Sequence, residues 1–119
     1  MSRSTESDPH PPLPSATFHI LMALADDDRH GYGIIQDVSA RTNGAVTLSA
    51  GTLYRSIQRL LEQGLIEELA ERPAPELDDE RRRYYRLTPA GRAAARAEAA
   101  RLTTLVRLAR ASGLLTGKA

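Results

Sequence analysis

Apolar residues recur at helical spacing over most of this chain, and most clearly between residues 47 and 66. Their spacing there is i, i+4, i+7 and i+8, which is typical of a helix with one face packed on a core. Ser49 is placed to cap the start and Gly64 to end the helix. The pattern therefore predicts an amphipathic helix over about residues 49–63, whose buried face is formed by Leu53, Ile57, Leu60 and Leu61.

The opposite face of this helix is small and basic. At 100° per residue, Gly51, Arg55 and Arg59 project away from the apolar side, with Thr52 at the edge. The first turn carries no bulky side chain, and the positive end of the helix dipole favours an anion there. Arginine reads guanine through two hydrogen bonds, so a base contact and a phosphate contact both stay open for Arg55. For Arg59, pairing with Glu62 one turn later is an equal alternative.

The remaining patterns predict a helix on each side of this one and a β-hairpin. The first helix has Ser15 as its candidate cap and ends in the acidic turn 26–28, and His30 opens a second helix that Asn43-Gly44 stops. Strands are predicted over 65–71 and 82–87, joined by a proline-rich loop. Thr88-Pro89 then starts a long helix that reaches about Ala111. The predicted order is three helices, a strand, a loop, a second strand and a last helix. This is the order of a winged helix-turn-helix.

The last helix carries an apolar stripe that nothing else in the chain obviously covers. The stripe follows i, i+3, i+4 and i+7 spacing and consists of Leu102, Leu105, Val106 and Ala109. We therefore predict a mainly α fold with a small β-hairpin, made of a disordered tail (1–12), a winged helix-turn-helix domain (13–88) and a C-terminal dimerisation helix with a short tail (89–119).

Charge is divided unevenly along the chain. Residues 1–80 hold 6 basic and 14 acidic side chains, whereas residues 81–119 hold 10 basic side chains and one acidic, Glu98. An excess of basic residues in one part of a chain is typical of proteins that bind an anionic partner. A solvated helix face, or charge pairing with the acidic residues of the first 80 positions, explains it equally well. Beside the hairpin loop, Arg81, Arg82 and Arg83 are placed to grip a phosphate, but Asp78-Asp79-Glu80 could neutralise them.

Four more residues of the helical region are candidates for DNA contact. Tyr32 and Tyr54 are interpreted as part core and part phosphate contact, since each adjoins an apolar face and ends in a hydroxyl. Thr52 and Ser49 carry hydroxyls that can bond to phosphate, although capping alone accounts for Ser49.

The residues do not favour an enzyme. The chain has no cysteine, which excludes disulfides, cysteine-based zinc sites and thiol catalysis. None of His10, His19 and His30 pairs with another histidine at metal-ligand spacing, and no nucleophile elbow or phosphate-binding glycine loop is present. We predict no cofactor and no metal. The polar N-terminus and the lack of a long apolar run predict a cytoplasmic protein that does not bind a membrane.

Three linked motifs resemble the PadR family of bacterial transcriptional regulators. They are His30-Gly31-Tyr32-Gly33-Ile34, the segment from Leu48 to Tyr54 followed by Leu60 and Gly64-Leu65-Ile66, and the segment from Arg83 to Thr88 followed by Gly91. They stand in the family's order and spacing and cover about residues 15–110.

The resemblance implies a repressor that binds double-stranded DNA as a homodimer on a palindromic operator, with half-sites roughly 10 bp apart. A two-fold partner would bury the C-terminal stripe. A small-molecule effector is compatible with the resemblance, and nothing in the residues identifies one. The chain has no tryptophan on which an aromatic drug could stack. Two alternatives stay open: a winged-helix module that binds protein, and a ligand-sensing dimer with a pocket between its C-terminal helices.

Overall fold

The structure, a computed structural model, describes residues 11–69 and 83–116. Four helices and a small antiparallel sheet share one apolar core, to which α1, α2, α3 and the sheet all contribute. In chain order the elements are α1 (Ser15–Asp26), β1 (Arg29–His30), α2 (Gly31–Arg41), α3 (Ala50–Glu62), β2 (Ile66–Glu68), β3 (Tyr84–Leu87) and α4 (Pro89–Ala111).

Helix α1 is the centre of the core. Its residues Ile20, Leu21, Ala23 and Leu24 are all buried, and the helix packs against α2, α3, β3 and α4. The prediction that Ser15 caps this helix is wrong, because Pro14 is the N-cap and no side chain bonds to the first turn. Proline holds the extended backbone that an N-cap requires, so the helix starts there without a capping hydroxyl.

Local hydrogen bonds fix both ends of α2 as the sequence predicts. The Nδ1 atom of His30 accepts a hydrogen bond of 3.0 Å from the Gly33 N–H, so this histidine is a cap. At the other end Asn43 and Gly44 have φ angles of 53° and 80°, and the Gly44 N–H donates to Ser39 O at 2.7 Å. This left-handed stop turns the chain from α2 toward α3.

Helix α3, the recognition helix of the winged-helix arrangement, matches its predicted bounds closely. The Ser49 Oγ accepts from the Thr52 N–H at 3.1 Å, and Leu53, Ile57 and Leu60 are buried. Gly64, with a φ angle of 75°, ends the helix and leads directly into β2.

The sheet has three strands in the order β1-β3-β2, all antiparallel. Sequence analysis missed β1, because two residues are too few to show any alternation. The register pairs Ile66 with Leu87 and Glu68 with Tyr85 across β2 and β3, which together we call the wing hairpin. Both strands are shorter than predicted. The predicted loop between them lies outside the described residues, as do most of the tail 1–12 and the end of the chain beyond residue 116.

The start of α4 is fastened to the turn between α3 and β2. Thr88 caps the helix through its hydroxyl, which also donates to Gly64 O at 2.8 Å. Gly91 lies directly against the Leu65 carbonyl, where an added Cβ would collide with that oxygen. Beyond residue 98 no side chain of the described part of α4 is fully buried, so the helix extends past the core.

Candidate nucleic-acid interface

The outer face of α3 presents two arginines without carboxylate partners. Gly51, Arg55 and Arg59 are all exposed. Within residues 11–69 and 83–116, no acidic oxygen lies within 4.0 Å of either guanidinium, and the alternative pairing of Arg59 with Glu62 is not formed. No carboxylate of the described residues therefore competes with a ligand that approaches Arg55 and Arg59 from outside.

The other described arginines that precede α4 are paired with carboxylates. Arg41 reaches Asp26 at 2.8 Å and Asp37 at 3.0 Å. The hydrogen bond and charge of Arg41 hold the pKa of Asp26 below its usual value. Arg29 also contacts Asp37, at 3.2 Å, and Arg86 contacts Asp28 at the same distance.

The acidic turn 26–28 is therefore tied to basic side chains through Asp26 and Asp28. These pairs also remove three arginines from the set that could bind an outside anion.

The first turn of α3 offers backbone donors. Ser49 accepts the Thr52 N–H, and the Leu53 N–H closes the first helical turn onto Ser49 O. The N–H groups of Ala50 and Gly51 have no acceptor among the described residues, as expected for the first positions of a helix. Unsatisfied N–H groups at the positive end of a helix bind phosphate readily.

Gly51 is not required by the fold. Its φ is not positive, and an added Cβ would lie 3.5 Å from the nearest atom, Nη1 of Arg55, which is an ordinary contact. Internal packing therefore does not explain the glycine. A glycine at this position does allow a large ligand to approach the backbone of the first turn closely.

The two tyrosines have different surroundings. Tyr32, in the first turn of α2, is 56% exposed. Tyr54 is 51% exposed, and its hydroxyl end lies against Gly31, where a Cβ would collide with it. Tyr54 therefore joins α3 to the start of α2 and still reaches the surface. Both interpretations in the sequence analysis, part core and part phosphate contact, fit this geometry for Tyr54.

Of the three arginines beside the wing loop, only Arg83 is described, and Arg81 and Arg82 lie outside the described residues. Arg83 pairs with Glu68 on the neighbouring strand at 2.8 Å. That hydrogen bond raises the pKa of the guanidinium. Sequence analysis weighed the acidic loop and DNA as partners but not β2. The pair is exposed, so a phosphate could still compete with Glu68 for Arg83.

The predicted stripe on α4 is uncovered in the single chain. Leu105 is 46% and Val106 is 43% exposed, and Leu102 and Ala109 are half-buried. Two further leucines, Leu114 and Leu115, extend the apolar surface past the end of the helix and were missed because they follow the helix stop.

Glu98 is buried between the stripe and the N-terminal segment. Its carboxylate accepts from the Leu13 N–H at 3.1 Å and pairs with Arg101 at 2.6 Å. These contacts, led by the bond from Arg101, lower the pKa of Glu98. Sequence analysis noted the single acidic residue of this region but gave it no role, because its partner Leu13 is 85 positions away.

Residues 11–69 and 83–116 contain no cluster of three or more histidine or acidic side chains that could hold a metal ion. None of the helices described there has the length and hydropathy of a membrane span.

Comparison with known proteins identifies the family. The profile of the transcriptional regulator PadR-like family matches residues 20–97, from α1 into α4. The chain belongs to this family. The resemblance noted in the sequence is thereby confirmed. Because the family match includes the HGYG, LSAGTLY and RYYRLT segments, it also covers the candidate residues on α2, α3 and β3.

Two relatives are similar over somewhat more than half of the chain. A protein of Lysinibacillus sphaericus is 38% identical over 74 residues, which are 62% of this chain and 65% of that protein. The transcriptional regulator Rv3488 of Mycobacterium tuberculosis is 41% identical over 76 residues, which are 64% of each chain. The chain therefore matches slightly less than two thirds of the length of these relatives.

Solved structures show the same fold. A PadR family transcription regulator from Clostridium difficile superposes with a TM-score of 0.67 at 22% identity, covering 82% of this chain and 96% of the other. Bacillus subtilis PadR in complex with operator DNA gives a TM-score of 0.58 at 18% identity, covering 70% of this chain and 46% of that protein. At such identities the likeness supports the winged-helix architecture and nothing finer.

Proposed function

We propose that this transcriptional regulator is a sequence-specific DNA-binding repressor that acts as a homodimer on a palindromic operator. The observation that carries the proposal is the outer face of α3. It combines two arginines and two backbone N–H groups that have no partner among the described residues with a glycine that internal packing does not require. Arginine side chains can read bases in the major groove, and the N–H groups at the helix start can hold a phosphate.

The neighbouring residues extend this interface. Tyr32, Tyr54 and Thr52 lie at or beside the start of α3 and carry hydroxyls suited to phosphate. Arg81, Arg82 and Arg83 would add contacts from the wing hairpin. Bacillus subtilis PadR, which shares the fold, was solved with operator DNA, and this supports DNA as the partner.

The uncovered stripe of Leu102, Leu105, Val106 and Ala109 supports a dimer. Two copies related by a two-fold axis would bury both stripes and present two α3 helices to one side of a duplex. Half-sites about one helical turn apart, roughly 10 bp, would match such a pair.

The proposal is tested on the DNA upstream of the protein's own gene, by footprinting and by fluorescence anisotropy at several salt concentrations. If Arg55 reads a base, Arg55→Ala should weaken operator binding by about 1–3 kcal/mol more than it weakens binding to random DNA. Arg107→Ala is the matched control, because it also removes one exposed arginine but on the side of α4 away from the stripe. Equal losses in the two variants would contradict the assignment of α3 as the reading element.

Gly51→Ala separates DNA binding from folding. Alanine is the better helix former, by up to about 1 kcal/mol, so the variant should be at least as stable as the wild type. An added methyl group on the approach path should nevertheless weaken DNA binding by about tenfold or more, the cost of one charge-assisted hydrogen bond. An unchanged affinity would show that the first turn of α3 does not touch DNA.

A protein-binding module is the second candidate. Its recognition surface would be expected to be apolar, because the centres of protein interfaces are depleted in charge. Among the described residues the exposed large aliphatic side chains lie on α4 and just after it, whereas the outer face of α3 is basic. This distribution favours DNA for α3 and a protein partner, a second copy, for α4.

A further inference from the structure

A short segment before α1, which we call the proline strap, lies beside the recognition helix. It consists of Pro11, Pro12, Leu13 and Pro14. All four residues line a cavity of about 160 Å³, whose other wall belongs mainly to α3. The α3 residues on that wall include Ser56, Arg59 and Gln63, which follow the i, i+3 and i+7 spacing of one helix face. Arg59 therefore has the strap on one side, whereas Arg55, one turn earlier, does not line this cavity.

The sequence of the strap makes it stiff. Each proline ring holds its φ angle at about −65°. A residue that precedes proline avoids the helical region, so we expect Leu13 to be extended too. Pro14 has a φ of −58° and a ψ of 148°, which is polyproline II backbone. A segment with so few conformations loses little entropy when it docks, so one anchor can hold all of it.

A single hydrogen bond anchors the strap to α4. Proline has no backbone N–H, so Leu13 supplies the only backbone donor of the four residues. This N–H donates to Oε1 of Glu98 at 3.1 Å. Glu98 is buried, and Arg101 donates to both of its carboxylate oxygens. The acceptor is therefore held in a fixed place on α4, and a bond to a buried carboxylate is stronger than one between neutral groups.

We propose that the proline strap, anchored by Glu98, positions the guanidinium of Arg59 to read a base. The strap limits the rotamers of Arg59 to those that project outward from α3. Leu13 and Glu98 are positioning residues, since neither has to touch DNA. The two arginines of the recognition face then differ, because Arg59 is oriented in advance and Arg55 adapts to the ligand. The DNA half of this proposal rests on the function proposed above, whereas the positioning half does not.

The positioning half is tested without DNA, on the ¹⁵N-labelled full chain, through the Nε–Hε signals of its arginine side chains. In the wild type the heteronuclear NOE of Arg59 should be higher than that of Arg55. Leu13→Pro removes the one donor and keeps the strap stiff and apolar. In this variant the NOE of Arg59 should fall to the value of Arg55, and Arg55 should not change. Equal NOE values in the wild type, or an unchanged Arg59 in Leu13→Pro, would overturn the proposal.

Two substitutions of the acceptor separate the anchor from general stability. Glu98→Gln retains an oxygen that can accept the Leu13 N–H, so Arg59 should keep a higher NOE than Arg55. Glu98→Ala removes the acceptor, and Arg59 should lose this difference. Equal loss in both variants would show that the Leu13 hydrogen bond is not what orders Arg59. If Glu98→Ala does not fold, as its amide spectrum will show, Leu13→Pro decides the question.

Ser15→Ala is the matched control next to the strap. No side chain caps the start of α1, so the hydroxyl of Ser15 has no part in holding the helix or the strap. Its loss should leave the NOE of Arg59 at the wild-type value. A fall as large as that in Leu13→Pro would contradict the role of the anchor.

The DNA half is tested by fluorescence anisotropy on operator and random DNA. Leu13→Pro should weaken operator binding by about 2- to 12-fold, the cost of ordering one rotamer-rich side chain, and weaken binding to random DNA less. In an Arg59→Ala background the same substitution should have no further effect, because the side chain that the strap positions is absent. An equal effect in both backgrounds would refute the DNA half alone. A protein that binds no DNA would refute the proposed function and leave the NOE result readable.

Discussion

Replacing Leu105 and Val106 with glutamate tests the dimer that the proposed function requires. In the single chain these side chains are 46% and 43% exposed. Complete burial of a leucine or valine contributes about 1.5–3 kcal/mol, so covering the exposed part of each contributes about 0.7–1.4 kcal/mol. A two-fold axis buries four such side chains, and the sum is about 3–5 kcal/mol.

This free energy corresponds to a change of about 100- to 5,000-fold in the dimer dissociation constant. The double variant Leu105→Glu/Val106→Glu loses it and also places four carboxylates in one interface. We expect monomers in sedimentation-velocity runs at concentrations where the wild type is dimeric, together with loss of operator binding. The helix itself should persist, because glutamate is a good helix former.

The matched control is Thr103→Glu/Thr104→Glu, which adds the same charge on the other side of α4. The two threonine hydroxyls bond only to carbonyls of their own helix, Ala99 O and Ala100 O. This control should remain dimeric. A wild-type monomer, or a stripe variant that stays dimeric while the control dissociates, would refute the assignment of the interface.

Three further predictions concern single contacts. Glu98→Gln should lower the free energy of unfolding at pH 7 by about 1–3 kcal/mol. Because the fold lowers the pKa of Glu98 from its ordinary value of 4.5, this difference should decrease as the pH falls below 4.5. A difference in urea midpoints that stays constant as the pH is lowered would contradict this. Gly91→Ala should destabilise by about 1–3 kcal/mol, because its Cβ meets the Leu65 carbonyl; an unchanged melting temperature would show that α4 shifts freely. Arg83→Ala should leave the melting temperature close to that of the wild type, since its pair with Glu68 is exposed, yet reduce the salt dependence of DNA binding by about one ion. A constant salt slope would remove Arg83 from the interface.

Sequence alone predicted the features that depend on local chemistry. The bounds of α3 followed from helical periodicity with Ser49 and Gly64 at its ends, and the start of α4 followed from Thr88-Pro89. The stop after α2 followed from Asn43-Gly44. Each of these signals lies within a few residues of the structure that it specifies, so no knowledge of the fold was needed.

Features that depend on distant contacts could not be predicted in this way. Strand β1 exists only because Arg29 and His30 pair with Tyr85 and Tyr84. The partner of Arg86 is 58 positions away, at Asp28, so the sequence could not show that this arginine is occupied. Arg55 and Arg59 were chosen by their face of the helix, and their lack of carboxylate partners became visible only in three dimensions.

The start of α4 is fixed to the turn that follows α3. In the proposed dimer, the direction of this long helix would therefore determine the spacing of the two operator half-sites. Thr88 and Gly91 hold its first turn against Gly64 and Leu65, directly after the recognition helix. With 23 residues α4 is about 34 Å long, so a tilt of roughly 5° moves its far end by about 3 Å. In a dimer joined along these helices, a small change in their crossing angle would move the two α3 helices apart or together by a comparable distance. A change in packing at the stripe could therefore shift the operator spacing that the protein prefers without altering any residue that reads the DNA.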